Sequence, residues 1–149
     1  MSLKYRIAQP NDLEKLYDYA YAKLKLEISD EMDLMMKVWE SNFRKEALEH
    51  YLKLGWSFLA EDSNDQLVGF FLGQPLLFFD AQTQTLWVEY IVADDFKIEA
   101  ELADIAIKLS RDKHLQRAIL PQKVLTLHFE RMYQFQNWSN KHVWIKTTK

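Results

Sequence analysis

The sequence has 149 residues, 48% hydrophobic and 28% charged. That is the balance of a globular domain and excludes a disordered chain. Nineteen Lys and Arg against 22 Asp and Glu leave a net charge of −3, which lacks the basic field of a general nucleic-acid binder. Cysteine is absent, so disulfides, cysteine–zinc sites and thiol nucleophiles are excluded.

The length suits one domain spanning residues 1–149, with a core rich in Phe, Tyr and Trp. The first residues, MSLKYRIAQPND, have no signal-peptide pattern. The longest apolar stretch, Leu67 to Phe79, is broken by Gln74 and Pro75 and is too short to span a bilayer. The expectation is a soluble, cytoplasmic protein with no membrane or nucleic-acid partner.

Lys4 to Ala8 alternates as a short strand. Pro10-Asn11-Asp12 interrupts it, and Asn11 with Glu14 has the form of a helix N-terminal capping box. Leu13, Leu16, Tyr17, Ala20 and Leu24 then follow helical spacing. A second start at Ser29 or Asp30 leads through Met32, Met35, Met36, Trp39 and Phe43. One helix, with a kink, is predicted from there to Leu54, where Gly55 ends it.

The period then changes. Trp56–Glu61, Leu67–Phe79 and Thr85–Ala93 read as three strands of an antiparallel meander, joined by the polar turns Ser63-Asn64-Asp65 and 80–84. Leu102, Ile105, Ala106 and Leu109 mark a helix, and Leu115–Leu120 a strand ended by Pro121. Leu125, Phe129, Met132, Tyr133 and Gln136 suggest another helix, and His142–Thr148 a final strand. The order is β-α-α-β-β-β-α-β-α-β, a mixed α/β (α+β) domain.

That order, with Tyr5-Arg6-Ile7-Ala8, Phe58–Asp62, Leu67–Phe70, Trp87–Asp95 and Met132–Trp138, resembles the GNAT superfamily of acyl-CoA N-acyltransferases over essentially the whole chain. The resemblance implies a mixed, mostly antiparallel central sheet flanked by helices. It also implies an N-acetyltransferase that uses acetyl-CoA as co-substrate and the amine of a small molecule or peptide as acceptor. A homodimer is an assembly it allows.

In the family, a glycine-rich loop opening the central helix offers backbone N–H groups to the CoA pyrophosphate. The matching stretch is Lys97, Ile98, Glu99, Ala100, Glu101 and Leu102. Lys97 stands for the basic residue, whereas Ala100 and Leu102 replace small or glycine positions. Asp94, Asp95, Glu99, Glu101 and Asp104 surround it with negative charge, and helix-dipole stabilisation explains Glu99 and Glu101 without a ligand. These departures sustain an alternative: a catalytically inactive GNAT-fold binding module that has lost CoA.

Glu89 is a carboxylate inside the apolar run TLWVEYIVA. Read alone, it is a strand residue on a solvated face opposite Val88 and Tyr90; the resemblance makes it the general base. Tyr133 reads alone as a core aromatic, and through the resemblance as the acid that protonates the leaving thiolate. Backbone groups around Tyr90, Ile91 and Val92 match those that hold the pantetheine arm. Thr126 matches a CoA contact and also reads as a helix N-cap. Lys108, Arg111, Lys113 and Arg117 read as a solvated helix face. His50, His114, His128 and His142 lack metal-ligand spacing, and no P-loop or serine-hydrolase phrase is present, so no metal is expected.

Overall fold

A computed structural model describes residues 2–79, 81–124, 127–137, 139 and 142–148. In chain order the elements are β1 (Lys4–Ile7), α1 (Leu13–Glu27), α2 (Glu31–Glu40), α3 (Lys45–Leu54), β2 (Phe58–Glu61), β3 (Leu67–Phe79) and β4 (Gln82–Ala93). After them come α4 (Phe96–Asp112), β5 (Arg117–Pro121), α5 (Leu127–Met132), β6 (Gln136–Asn137) and β7 (His142–Lys146), with 3-10 turns at Pro10–Asp12 and Gln122–Val124. The strands form one sheet in the order β1-β2-β3-β4-β5-β7-β6. Every neighbouring pair is antiparallel except β4 and β5, which run parallel on either side of the α4 crossover. Among the described residues, no helix is long and apolar enough to cross a membrane.

Two cores lie on opposite faces of this sheet. On one, Ile98, Leu102, Ala106 and Ile107 of α4 pack on Phe71, Leu86, Val88, Ile91 and Ala118. On the other, Leu16 and Ala20 of α1 and Leu48, Tyr51 and Leu52 of α3 pack on Leu59, Phe70 and Leu72. Gly69 brings α4 close: a β-carbon there would lie 2.9 Å from that of Ala93 and 3.0 Å from Cδ1 of Leu102. Leu102 is therefore a core residue seated against the sheet.

Three local expectations need correction. The predicted long helix is two helices, parted at residues 41–44. Ser41 turns back onto the Val38 carbonyl, from its amide at 3.1 Å and its hydroxyl at 2.7 Å. Phe43 is then buried between the Tyr17 and Tyr90 rings. No glycine or proline marks this break; burying Phe43 does. No side chain caps the first helix as expected of Asn11 and Glu14: Asp12 takes the N-cap position, and its carboxylate turns back to accept from the Gln9 amide at 2.7 Å and from Arg6. The two-residue β6, absent from the expected order, forms the edge beyond β7. The predicted stops and starts at Gly55 (φ 76°) and Asp30, which accepts from the Asp33 amide at 2.9 Å, are present.

Arg6 ties β1, the start of α1 and β2 together. Its guanidinium grips both oxygens of Asp12 at 2.9 Å and one oxygen of Glu61 at 3.0 Å; Lys15 also binds Glu61. The Arg6 charge holds the Asp12 carboxyl below the usual carboxylate range, and Lys15, followed by Arg6, does the same for Glu61. Depressed carboxyl pKa values add stability that is present at neutral pH and lost as the pH falls through them. Arg6→Met is therefore expected to destabilise the fold by about 2 kcal/mol at pH 7, a figure discounted for the partial exposure of Arg6. In urea unfolding, its deficit relative to the wild type should shrink between pH 7 and pH 3.

Candidate active site

β4 is paired along nearly its whole length with β3, from Phe79↔Gln82 to Gly69↔Ala93. With β5 it pairs only at Thr85↔Arg117, Leu86↔Ala118 and Trp87↔Ile119. Beyond Trp87 the two strands part, and β4 runs on to Ala93 without β5 alongside. At the same point the β3 ladder slips: Leu72 faces Tyr90 while Gly73 faces Val88, so Glu89 is an extra residue in a bulge. A cavity of about 470 Å³ opens beside this stretch, lined by Ala20 and Leu24 of α1, Phe43, Tyr90, Val92 and Lys123.

The bulge overturns simple alternation. Val88 faces α4, yet Tyr90 packs with the α1 and α3 core, on the same side as the Glu89 partners. The Glu89 carboxylate accepts from Trp87 Nε1 at 2.5 Å and is reached by the Tyr51 hydroxyl of α3. Its backbone carbonyl accepts from Asn42 Nδ2 at 3.0 Å. Glu89 is half-buried and held from two sides, rather than lying on a solvated face opposite Tyr90.

Tyr133 approaches from the other face. It is buried in the α4 core, its hydroxyl donates to Asp104, and the Arg111 guanidinium lies 5.6 Å from its ring centroid. Asp104 also pairs with Lys108 at 2.7 Å. Glu89 and Tyr133 thus sit on opposite sides of the sheet.

The stretch matched to the pyrophosphate loop is helical from Phe96 onward. Asp95 caps α4 by accepting from the Ile98 amide at 2.9 Å, so that N–H already has a partner. Lys97 is exposed, Ile98 and Leu102 are buried, and Glu99 and Ala100 lie between these extremes. Glu101 accepts from the Tyr5 hydroxyl. Ile91 points into the α4 core and Val92 lines the cavity. Thr126 lies outside the described residues.

The acidic field is also smaller than the sequence suggests. Asp94 pairs with Lys23 at 2.8 Å, Glu99 with Lys123 at 3.8 Å, and Asp104 with Lys108. Among the acids around the helix start, Asp95 and Glu101 have neutral hydrogen-bond partners instead. Lys123 belongs to the site although the sequence reading missed it: its ammonium lies 5.7 Å from the Tyr90 ring centroid, at the parting. Asn42 and Tyr51 were equally hidden, since each reaches β4 from a distant helix or turn. Trp87 had a signal, because residues two apart on a strand share a face. Among the described residues no group of His, Asp and Glu is arranged to hold a metal ion.

No protein-family model matches the chain, and no curated protein matches it either. Solved structures do. The PaiA N-acetyltransferase from Thermoplasma acidophilum, in complex with coenzyme A, superposes with a TM-score of 0.68 at 16% identity, over 98% of this chain and 99% of its own. A GNAT-family acetyltransferase from Listeria monocytogenes gives 0.67 at 18% identity, covering 97% and 94%. A putative phosphinothricin N-acetyltransferase gives 0.67 at 15% identity, covering 99% and 100%. The chain has the GNAT acyl-CoA N-acyltransferase fold.

Burial pushes the Glu99 carboxyl up, against the opposing pull of Lys123. A raised carboxyl pKa means that the charged form burdens the folded state at neutral pH, and that the burden lifts as the pH falls. Glu99→Gln is expected to raise the thermal midpoint at pH 7 by roughly 2–4 °C. Scanning calorimetry should show that gain fading under acidic conditions.

Proposed function

We propose that this chain is an acyl-CoA-dependent N-acyltransferase that passes an acetyl group from acetyl-CoA to the amine of a small molecule or peptide. The observation that carries this reading is the parting of β4 from β5 beyond Trp87, with the bulged Glu89 beside it. Backbone N–H and C=O groups on that side of β4 have lost the strand that would pair them, and such groups demand partners. An extended amide-bearing arm laid along Tyr90–Val92 would provide them. Bound there, acetyl-CoA supplies the activated acyl thioester.

The residues divide the remaining work. Glu89, held by Trp87 and Tyr51, takes a proton from the attacking amine at its carboxylate. Backbone N–H groups of β4 stabilise the developing oxyanion. Tyr133 Oη gives a proton to the departing sulfur, a step that requires it to release Asp104. Lys97 in the first turn of α4, Lys23 on Asp94 and Lys123 on Glu99 are the cations available there to an anionic donor, and Lys123 would exchange Glu99 for phosphate. Two of the similar solved structures, PaiA and the phosphinothricin enzyme, are named N-acetyltransferases, which supports an amine acceptor.

One observation favours a second reading, a GNAT-fold interaction module without CoA. The helix start offers no glycine, its Ile98 amide is taken by Asp95, and Glu99 and Glu101 stand in its first two turns. Each uncompensated carboxylate beside a phosphate costs about 1 kcal/mol in water at close range.

Calorimetry with acetyl-CoA at low salt separates the two readings. Micromolar binding, with thiol release when an amine panel is added, is the expected result; no binding establishes the module. Because the chain has no cysteine, a thiol reagent reports released CoA without background. Glu89→Gln should then lower kcat by about 10²–10⁴-fold while leaving acetyl-CoA affinity intact.

A further inference from the structure

A general base must be aimed as well as basic, and a strand bulge aims a side chain without fixing it. Glu89 has three anchors, each from a different part of the chain. Asn42, in the turn between α2 and α3, holds its backbone carbonyl at 3.0 Å. Trp87, two residues earlier on β4, donates to its carboxylate at 2.5 Å. Tyr51, from the middle of α3, is buried beside them, and its phenol interacts with the same carboxylate and with the Trp87 indole.

The surroundings lock these donors. Tyr51 is 7% exposed and packs edge-on against His50, whose Nε2 lies 2.8 Å from Gln74 Oε1 on β3. The Trp87 ring is stacked on His142 of β7, with centroids 4.9 Å apart, and meets Phe79 edge-on. Burial, followed by the Glu89 charge, pushes the Tyr51 phenol well above its ordinary range. It therefore stays protonated at neutral pH and acts as a donor. An ionised carboxylate accepts through about four lone-pair positions, so two donors leave it free to accept a proton from an amine.

We propose that Tyr51 and Trp87 are positioning residues that clamp the Glu89 carboxylate in its bulge for proton abstraction. This inference rests on the acyltransferase reading, and within it separates two tasks. Glu89 exchanges the proton, while the phenol and indole set where it is exchanged. Neither donor need touch the donor thioester or the acceptor.

The experiment is a kinetic double-mutant cycle with acetyl-CoA and an accepted amine, followed by thiol release. Tyr51→Phe and Trp87→Phe keep a ring in place and remove only the hydroxyl or the indole N–H. Each should lower kcat by about 10–100-fold, the scale of one hydrogen bond to a charged group, with both KM values changed less than about twofold. In the Glu89→Gln background the same changes should cost almost nothing further, because the group they position is gone.

Equal losses in both backgrounds, or losses confined to KM, would assign the two residues a structural role and overturn the inference. So would full activity of both variants in an enzyme that Glu89→Gln disables, and that outcome leaves the acyltransferase reading standing. A wild-type chain that turns over no amine with acetyl-CoA overturns both. Urea unfolding of the same variants guards against a folding defect: a coupling between Tyr51 and Glu89 of the expected sign must accompany the kinetic one.

Discussion

The architecture depends on how many neighbours β4 has. On one edge it is zipped to β3 along nearly its full length; on the other it meets β5 at only three register pairs before the strands separate. A parallel neighbour must arrive through a crossover, and here α4 is that crossover, so the α4 core and the opening are products of the same connection. Backbone groups in an interior strand cannot remain unpaired without cost. The structure answers locally with Asn42, whose side-chain amide donates to the Glu89 carbonyl.

Charge at the start of α4 serves two competing demands. Acidic residues in the first turn complement the helix dipole, and Asp95 satisfies an amide that would otherwise need water or a ligand. The same features oppose an anionic guest. Cations from three other places reduce the conflict: Lys23 on α1 meets Asp94, Lys123 meets Glu99, and Lys108 on α4 itself meets Asp104. A run of carboxylates in a sequence shows only one half of these pairs, so its field is overstated until the fold supplies the other half.

Much of the fold was legible because burial leaves a period in the sequence. The apolar spacing of α1 and α4, the β-branched and aromatic runs of β3 and β4, the Asp30 cap and the stop at Gly55 all reflect constraints within a few residues of chain. The resemblance in element order led to the fold that the solved structures share. The candidate site was legible only in part. Glu89 stands out as a carboxylate in an apolar strand, but its side of the sheet was misread because a bulge has no composition of its own at this position. Asp12 took the N-cap position expected of Asn11 and turned its carboxylate to Arg6 and the Gln9 amide, and the α2–α3 break followed from the burial of Phe43.

The sequence by itself determined the periodic elements, their order, the absence of thiol chemistry, and which side chains are able to exchange protons. These depend on residue identity and short-range spacing. Tertiary structure alone decided where β4 leaves β5, which face Glu89 takes, and that Asn42 reaches the Glu89 backbone from the turn between α2 and α3. Each is a contact or register between segments far apart in the chain, set by the packing of both sheet faces at once, and no local pattern records it.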